Sequence, residues 1–89
     1  MATMFIRHEV ADYAKWKQVY DEFRPTQQRL GVTGDAIYRA AENPNDITVT
    51  HEFATVDAAQ KFAASDDLHT AMGGAGVVGQ PTIWFATRS

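Results

Sequence analysis

The 89-residue chain contains no cysteine. That absence excludes disulfides, a thiol nucleophile and any thiolate metal site. Strong charge of either sign is also missing. Eight Lys and Arg against 11 Asp and Glu leave a net charge of −3, and the basic residues are scattered, so the electrostatic footprint of a nucleic-acid binder is not there. Nor is there a long apolar run. The opening "MATMFIRHEV" reaches a charge at Arg7, too soon for a signal peptide or a membrane span. A cytoplasmic protein with neither membrane nor nucleic acid as partner is the expectation. Repeats, linkers and low-complexity tracts are absent, as are a nucleophile elbow, a P-loop, zinc-finger spacing, an HExxH pair and a heptad run. One motif is present in letters only. Gly74–Gly79 reads "GAGVVG", a match to the dinucleotide fingerprint G-x-G-x-x-G. A working fingerprint follows a strand, opens a helix and has an acid about twenty residues on. Here the run follows a helical pattern and opens a strand pattern, and ten residues remain after Gly79. No nucleotide cofactor is expected. The run reads instead as a helix stop and a flexible connection, a mobile border to a pocket.

What is present is apolar and aromatic. Hydrophobic residues make up 45% of the chain, with two Trp, five Phe and three Tyr. Residues 1–89 suit one domain at the small end of the single-core range, which buries roughly 60–65% of its unfolded surface. The apolar content exceeds what so small a core needs, and a homodimer is the simplest way to bury the rest.

The patterning divides the chain cleanly. Ala2–Val10 alternates, with Met4, Ile6, His8 and Val10 on one face and Phe5, Arg7 and Glu9 on the other, as a strand does. Asp12 suits an N-cap. After it Tyr13, Trp16, Tyr20, Phe23, Gln27 and Leu30 recur at helical spacing, closed by Gly31, with Pro25 expected to kink or split the helix. Ala36–Ala40 and Ile47–Phe53 read as strands joined by the turn-rich "ENPND". In the second of these, Ile47, Val49, His51 and Phe53 share a face. Thr55 can cap a second helix, and Ser65, followed by Asp66 and Asp67, can restart it through Leu68–Met72. Pro81–Arg88 is a last strand. The order β-α-β-β-α-β predicts a ferredoxin-like α+β fold: a four-stranded antiparallel sheet with helices on one face and the first and third strands as central neighbours. The helices should cover Met4, Ile6, His8, Ile47, Val49, His51 and Phe53. The opposite face, with Phe5, Arg7, Thr48, Thr50 and Glu52, suits a second sheet stacked on it.

Three stretches resemble the dimeric α/β-barrel superfamily, in particular the small antibiotic-biosynthesis-monooxygenase-like and cyclase-like proteins. They are "RHEVADYAKWKQVYDEF" (Arg7–Phe23), "HEFATVDAAQKFAASDDLHTAM" (His51–Met72) and "AGVVGQP" (Ala75–Pro81). The F-x-T-x-x-x-A-x-x-F-x-x-S-D-x-L pattern from Phe53 to Leu68 is the most specific piece. The resemblance implies a homodimer with one small-molecule pocket per subunit, between helices and sheet. It does not select a reaction, since the superfamily includes oxygenases, isomerases, cyclases, haem-degrading enzymes and members without known activity. In the haem-degrading branch a Trp falls on Phe53 and the haem-ligating His falls on Met72. Both are lost here, which argues against that activity.

Several side chains can carry chemistry. His8 and His51 fall on one face of adjacent strands, and His69 lies seven residues beyond Phe62. Converging imidazoles could bind a divalent metal, with or without Met72 toward haem, or share acid–base work; alternatively each is a hydrogen-bonded core histidine. His8 is the first choice as base or substrate-orienting group, because the resemblance covers its "RHxVxDY" context most fully. Tyr13, Trp16, His51, His69, Met72 and Trp84 are candidates for the substrate-binding wall of a flat cavity, although an aromatic stripe at helical spacing is also what a core requires. Such a cavity would let a bound aromatic or polyketide-like substrate react without flavin, nicotinamide or metal. Arg7, Glu9, Arg39 and Glu52 suit ion pairs across a dimer face, with Arg7 or Arg39 holding a substrate anion as the lesser reading. Asp66 and Asp67 are helix-capping acids. The expectation is a small-molecule enzyme of monooxygenase or cyclase type. The alternatives are a non-catalytic ligand-binding or stress-type dimer, or a metal or haem protein using His8, His51, His69 or Met72.

Overall fold

The computed structural model describes residues 1–89. Its elements run β1 (Ala2–Val10), α1 (Tyr13–Arg29), β2 (Gly34–Arg39), β3 (Asp46–Phe53), α2 (Val56–Ala63), α3 (Asp66–Gly74) and β4 (Val77–Thr87). The strands form one antiparallel sheet in the order β2-β3-β1-β4, so the first and third strands are central, as the ferredoxin-like reading requires. Alternation along β1 and β3 buries Met4, Ile6, His8, Val10, Ile47, Val49, His51 and Phe53 beneath the helices.

The helix ends follow from their capping residues. Asp12 accepts from the backbone N–H groups of Ala14 and Lys15, Thr55 from Ala58 and Ser65 from Leu68. These caps satisfy N–H groups that a helix start otherwise leaves open. The break at Ala64–Ser65 makes α2 and α3 separate helices, and Ser65 caps the second.

Two expectations are corrected. Pro25 does not split α1, which runs unbroken from Tyr13 to Arg29. Pro25 and Asp21, whose carbonyl loses its helical partner, are both exposed, so water can take the place of the missing N–H. The stretch after Gly76 is not a loose connection either. Ala11 donates to the Gly76 carbonyl at 3.1 Å, and β4 starts at Val77, which pairs with Val10. The strand begins early because Gly76 turns the chain straight out of the helix and into the ladder.

The ladder between β1 and β4 then slips. Glu9 pairs with Val78 but Arg7 pairs with Thr82, so Gly79, Gln80 and Pro81 all stand opposite His8. Gly79 takes φ +74, and Pro81, which has no N–H to offer the ladder, sits where none is needed. The sequence places a bulge directly beside one of its two buried histidines.

The core divides into two packed groups. One gathers Met4, Ile6, Phe53, Phe62 and Leu68. The other gathers Val10, Trp16, Tyr20, Ile47 and Val49.

The C-terminus of α1 gives a direct test of how the chain is steered. Val32 donates to the Gln27 carbonyl at 3.0 Å and Gly31 to the Gln28 carbonyl at 3.2 Å, with Gly31 at φ +105. This closure satisfies the last carbonyls and drops Val32 into the core. A Cβ at Gly31 would meet Phe53 only at 3.8 Å, so the cost of adding one is conformational rather than steric. Gly31→Ala is expected to destabilise by about 1–2 kcal/mol, lowering Tm by roughly 5–15 °C. Gly31→Asn should recover much of the loss, because Asn tolerates the left-handed region. Thermal unfolding followed by circular dichroism reads both.

Candidate functional site

The two central strands place the site. In their register His8 lies opposite Ile47 and His51 opposite Met4, an offset of four residues, or about 13 Å along the strands. Both imidazoles point to the helix-covered face. Trp16 and Tyr20, one helical turn apart on α1, bridge them. Trp16 meets His8 edge-on at 5.8 Å between ring centroids, stacks on Tyr20 at 5.1 Å, and Tyr20 lies 6.1 Å from His51. Phe62 of α2 closes the far side of His51 at 5.3 Å.

A chamber of about 40 Å³ lies beneath these rings, at the seam between the two core groups. It is the space that Phe53, Phe62 and Trp16 leave unfilled. Ten of its 13 lining residues are hydrophobic, the polar ones are His8, Gln27 and His51, and none carries a formal charge. A dry cavity of about 150 Å³ is what accepts benzene, so the chamber takes only a few atoms.

None of the four imidazole nitrogens of His8 and His51 has a hydrogen-bond partner within the protein, although both residues are buried, at 6% and 2% exposure. Burial lowers the pKa of His8, against a nearby Asp46 that favours the charged form. Burial pushes His51 down to about 4, with Asp35 opposing and Arg24 assisting. Both rings are therefore neutral at pH 7, each with one N–H and one lone pair to offer. An unmade buried hydrogen bond costs about 1–3 kcal/mol. Both rings line the chamber, with their nitrogens buried in its wall.

Tyr20 is held from behind. Its hydroxyl donates to Asp35 at 2.5 Å, and Arg24 donates to both Asp35 oxygens at 2.9 and 3.0 Å. Burial and the Asp35 hydrogen bond raise the Tyr20 pKa far above its usual value, with Gln27 and Arg24 acting in the other direction. The phenol stays protonated, and its ring is locked against the chamber.

The structure brings His8, Trp16, His51 and Met72 to the chamber and leaves three candidates elsewhere. Tyr13 lies tilted against the outer side of Trp16 at 5.8 Å, with the Arg39 guanidinium 3.7 Å above its ring. His69 is exposed: the helix break at Ser65 voids its spacing from Phe62, and in α3 it is Leu68 that turns inward. Trp84 lies on the opposite face of the sheet, stacked on Phe5 at 5.1 Å, because alternation along β4 sends Ile83 and Phe85 to the core. The three histidines do not meet, and no group of three His, Asp or Glu side chains is placed to hold a metal ion. Three of the four strand charges, Arg7, Arg39 and Glu52, are engaged within the subunit. Arg7 pairs with Asp46 through two hydrogen bonds, Arg39 donates to the Pro44 carbonyl and Thr3 donates to Glu52. Tyr20 and Gln27 of the α1 stripe join the chamber unforeseen as site residues. Gln27 carried a signal, as a fully buried polar side chain on an otherwise apolar face. Asp35 and Arg24 carried none, since their pairing depends on where β2 lies beside α1.

No protein-family model matches the chain, and no curated protein matches it in sequence. Its likeness is to solved structures. A Bordetella bronchiseptica protein assigned as an antibiotic biosynthesis monooxygenase is similar with a TM-score of 0.85 at 20% identity, over 99% of this chain and 96% of that one. A Caulobacter crescentus protein with the same assignment gives 0.78 at 16%, over 99% and 89%. SnoaB, a cofactor-independent oxygenase from Streptomyces nogalater, gives 0.75 at 14%, over 99% and 94%. The chain has the α+β fold of these antibiotic-biosynthesis-monooxygenase-type structures along nearly its whole length. No helix is long and apolar enough to cross a membrane.

His51 makes stability depend on pH in a definite direction. An unfolded imidazole takes up its proton as pH falls below about 6.5, while the folded ring stays neutral to about 4. The unfolded state therefore binds more protons in this window. Stability should fall by about 3 kcal/mol between pH 6.5 and pH 4, then level off as far as His51 is concerned. His51→Phe removes most of that slope, leaving the smaller share from His8. It should be at least as stable as wild type at pH 7, because an unpartnered polar ring is replaced by an apolar one of similar shape. Urea unfolding at half-unit pH steps measures both effects.

Proposed function

We propose that this chain is a small-molecule enzyme of the cofactor-independent monooxygenase or cyclase type, working as a cytoplasmic homodimer on an aromatic or polyketide-like substrate. The observation that carries the reading is the pair of buried, neutral imidazoles, without protein partners, in a chamber that is apolar apart from them and Gln27. Likeness of fold to SnoaB, a cofactor-independent oxygenase, supports the reaction type.

His8 is the base or orienting group. As a free base at neutral pH it accepts a proton from an acidic O–H or C–H of the substrate, and the imidazolium then balances the charge of the substrate anion. The apolar walls keep water away from that anion, leaving an electron-rich carbon that dioxygen can attack or that can close a ring. His51 and Gln27 hold the substrate's other polar groups, and the locked rings of Trp16 and Tyr20 keep it flat. Met72, in the chamber wall, contacts the substrate directly. Tyr13 supports Trp16 from outside.

The dimer reading rests on the other face of the sheet. Tyr38, Val78 and Trp84 are large and exposed, Trp84 at 41%, and all three lie with Phe5 on the side away from the helices. Lone exposed apolar groups are ordinary, but a sheet face that gathers several marks a surface meant to be covered. Trp84 is then an interface residue, and its effect on the chamber is indirect.

Oxygen uptake with 1,8-dihydroxyanthrone and a panel of naphthols tests the chemistry. Wild type should consume oxygen well above the protein-free rate, and His8→Phe, which keeps a ring in place, should lose at least a hundredfold, the usual scale of one general base. Uptake no faster than the protein-free rate across the panel, or equal rates in wild type and His8→Phe, rejects the reading. Trp84→Glu tests the dimer: sedimentation should show a monomer with its α/β circular dichroism intact.

A further inference from the structure

The chamber is too small for the substrate class it is read as serving, and the structure offers the missing space next door. A groove of about 380 Å³ runs over the surface between α3 and the start of β4. Sites for drug-sized ligands run to about 300–1,000 Å³, so the groove has the volume that the chamber lacks. Met72 lines both spaces. Its side chain is half-buried, unbranched and free to rotate about three bonds, which makes it a displaceable wall. The remaining groove wall is low. Gly73 presents no side chain, and a Cβ there would meet nothing within 4 Å. Gly79, Gln80 and Pro81, the bulge opposite His8, form the floor. The distorted stretch of the ladder therefore borders the groove at the strand position of His8, with Met72 between the groove and the chamber that the imidazole lines.

We propose that this groove is the outer half of the ligand site: an uncharged, planar molecule lies in it and passes its hydrogen-bonding edge beyond Met72 to His8 and His51. This deepens the preceding reading and rests on the chamber being the small-molecule site. The ligand is uncharged because neither compartment is lined by a Lys, Arg, Asp or Glu side chain to compensate a charge. It is planar at its inserted edge so that it can lie against the stacked rings of Trp16 and Tyr20. His69 and Gln80, both at the groove, meet the part of the ligand that stays outside, which gives His69 a role in recognition at the rim.

The test is occupancy, measured without turnover. A Trp84→Phe background leaves Trp16 as the one tryptophan of the chain, and its fluorescence is titrated under argon with 2-naphthol and with the anionic 2-naphthoate. The parent should be quenched by 2-naphthol, with 2-naphthoate at least roughly tenfold weaker. Gly73→Leu fills the groove from a helical position that tolerates it. It should weaken 2-naphthol roughly tenfold while its Tm is kept or raised. Met72→Ala removes the partition and should tighten binding or speed association several-fold. The proposal is overturned if Gly73→Leu and Met72→Ala both bind as the parent does, if the anion binds equally well, or if no variant is quenched. Oxygen uptake that depends on His8 alongside wild-type binding in Gly73→Leu would remove the groove and leave the proposed function standing. Normal variant effects on binding without any oxygen uptake would do the reverse.

Discussion

The antiparallel register of β1 against β3 pairs Ile6 with Val49 and sets His8 and His51 four residues apart on the buried face. A slip of one residue would turn every inward side chain of β1 to the outer face, because side chains alternate strictly along a strand. The apolar pattern of both strands opposes such a slip, since it would expose Met4 and Ile6 and bury Arg7 and Glu9. Everything at the site inherits this register. The spacing of the two imidazoles matches the reach of Trp16 and Tyr20, one helical turn apart on α1, so the aromatic bridge closes without gaps. The β4 bulge then breaks regularity at the one β1 position, His8, where an edge is useful.

Two buried imidazoles without partners are a cost to folding, and the surrounding structure offsets it. Phe53 and Phe62 pack at 5.5 Å in a core group that touches the chamber but is complete without it. Three side-chain caps, the closure at Gly31 and the Arg24–Asp35–Tyr20 cluster stiffen the elements on either side. Two kinds of change are thereby separated: those that fill the chamber strengthen the fold, whereas those at Gly31 weaken it without touching the chamber.

Much of this was legible in the chain. Ala2–Val10 alternates so regularly that its strand, its buried face and the burial of His8 could be read directly, and Ile47–Phe53 did the same for His51. Asp12, Thr55 and Ser65 announced the three helix starts, because a short polar side chain before an apolar stripe has a definite backbone partner. Other features were not legible. Trp84 could not be assigned to the outer face until β4 was registered against β1. The exposure of His69 followed from a helix break whose geometry depends on packing. That Pro25 leaves α1 unsplit was not legible either, because the cost of a proline depends on whether the freed carbonyl faces water, and that is a property of the folded surface. The early start of β4 was hidden in a glycine run whose letters pointed to a nucleotide or a loose gate.

The sequence by itself determined the element order, the buried face of each central strand and the absence of charge among the inward positions. These follow from local periodicity and capping, which act within a few residues. Only the tertiary structure decided which inward residues surround an empty space and which fill one. That outcome depends on the distance between α1 and the sheet, on the β4 bulge opposite His8, and on Met72 standing between the chamber and the groove. Each is a relation between side chains distant along the chain, set by packing volume, and no local pattern records it.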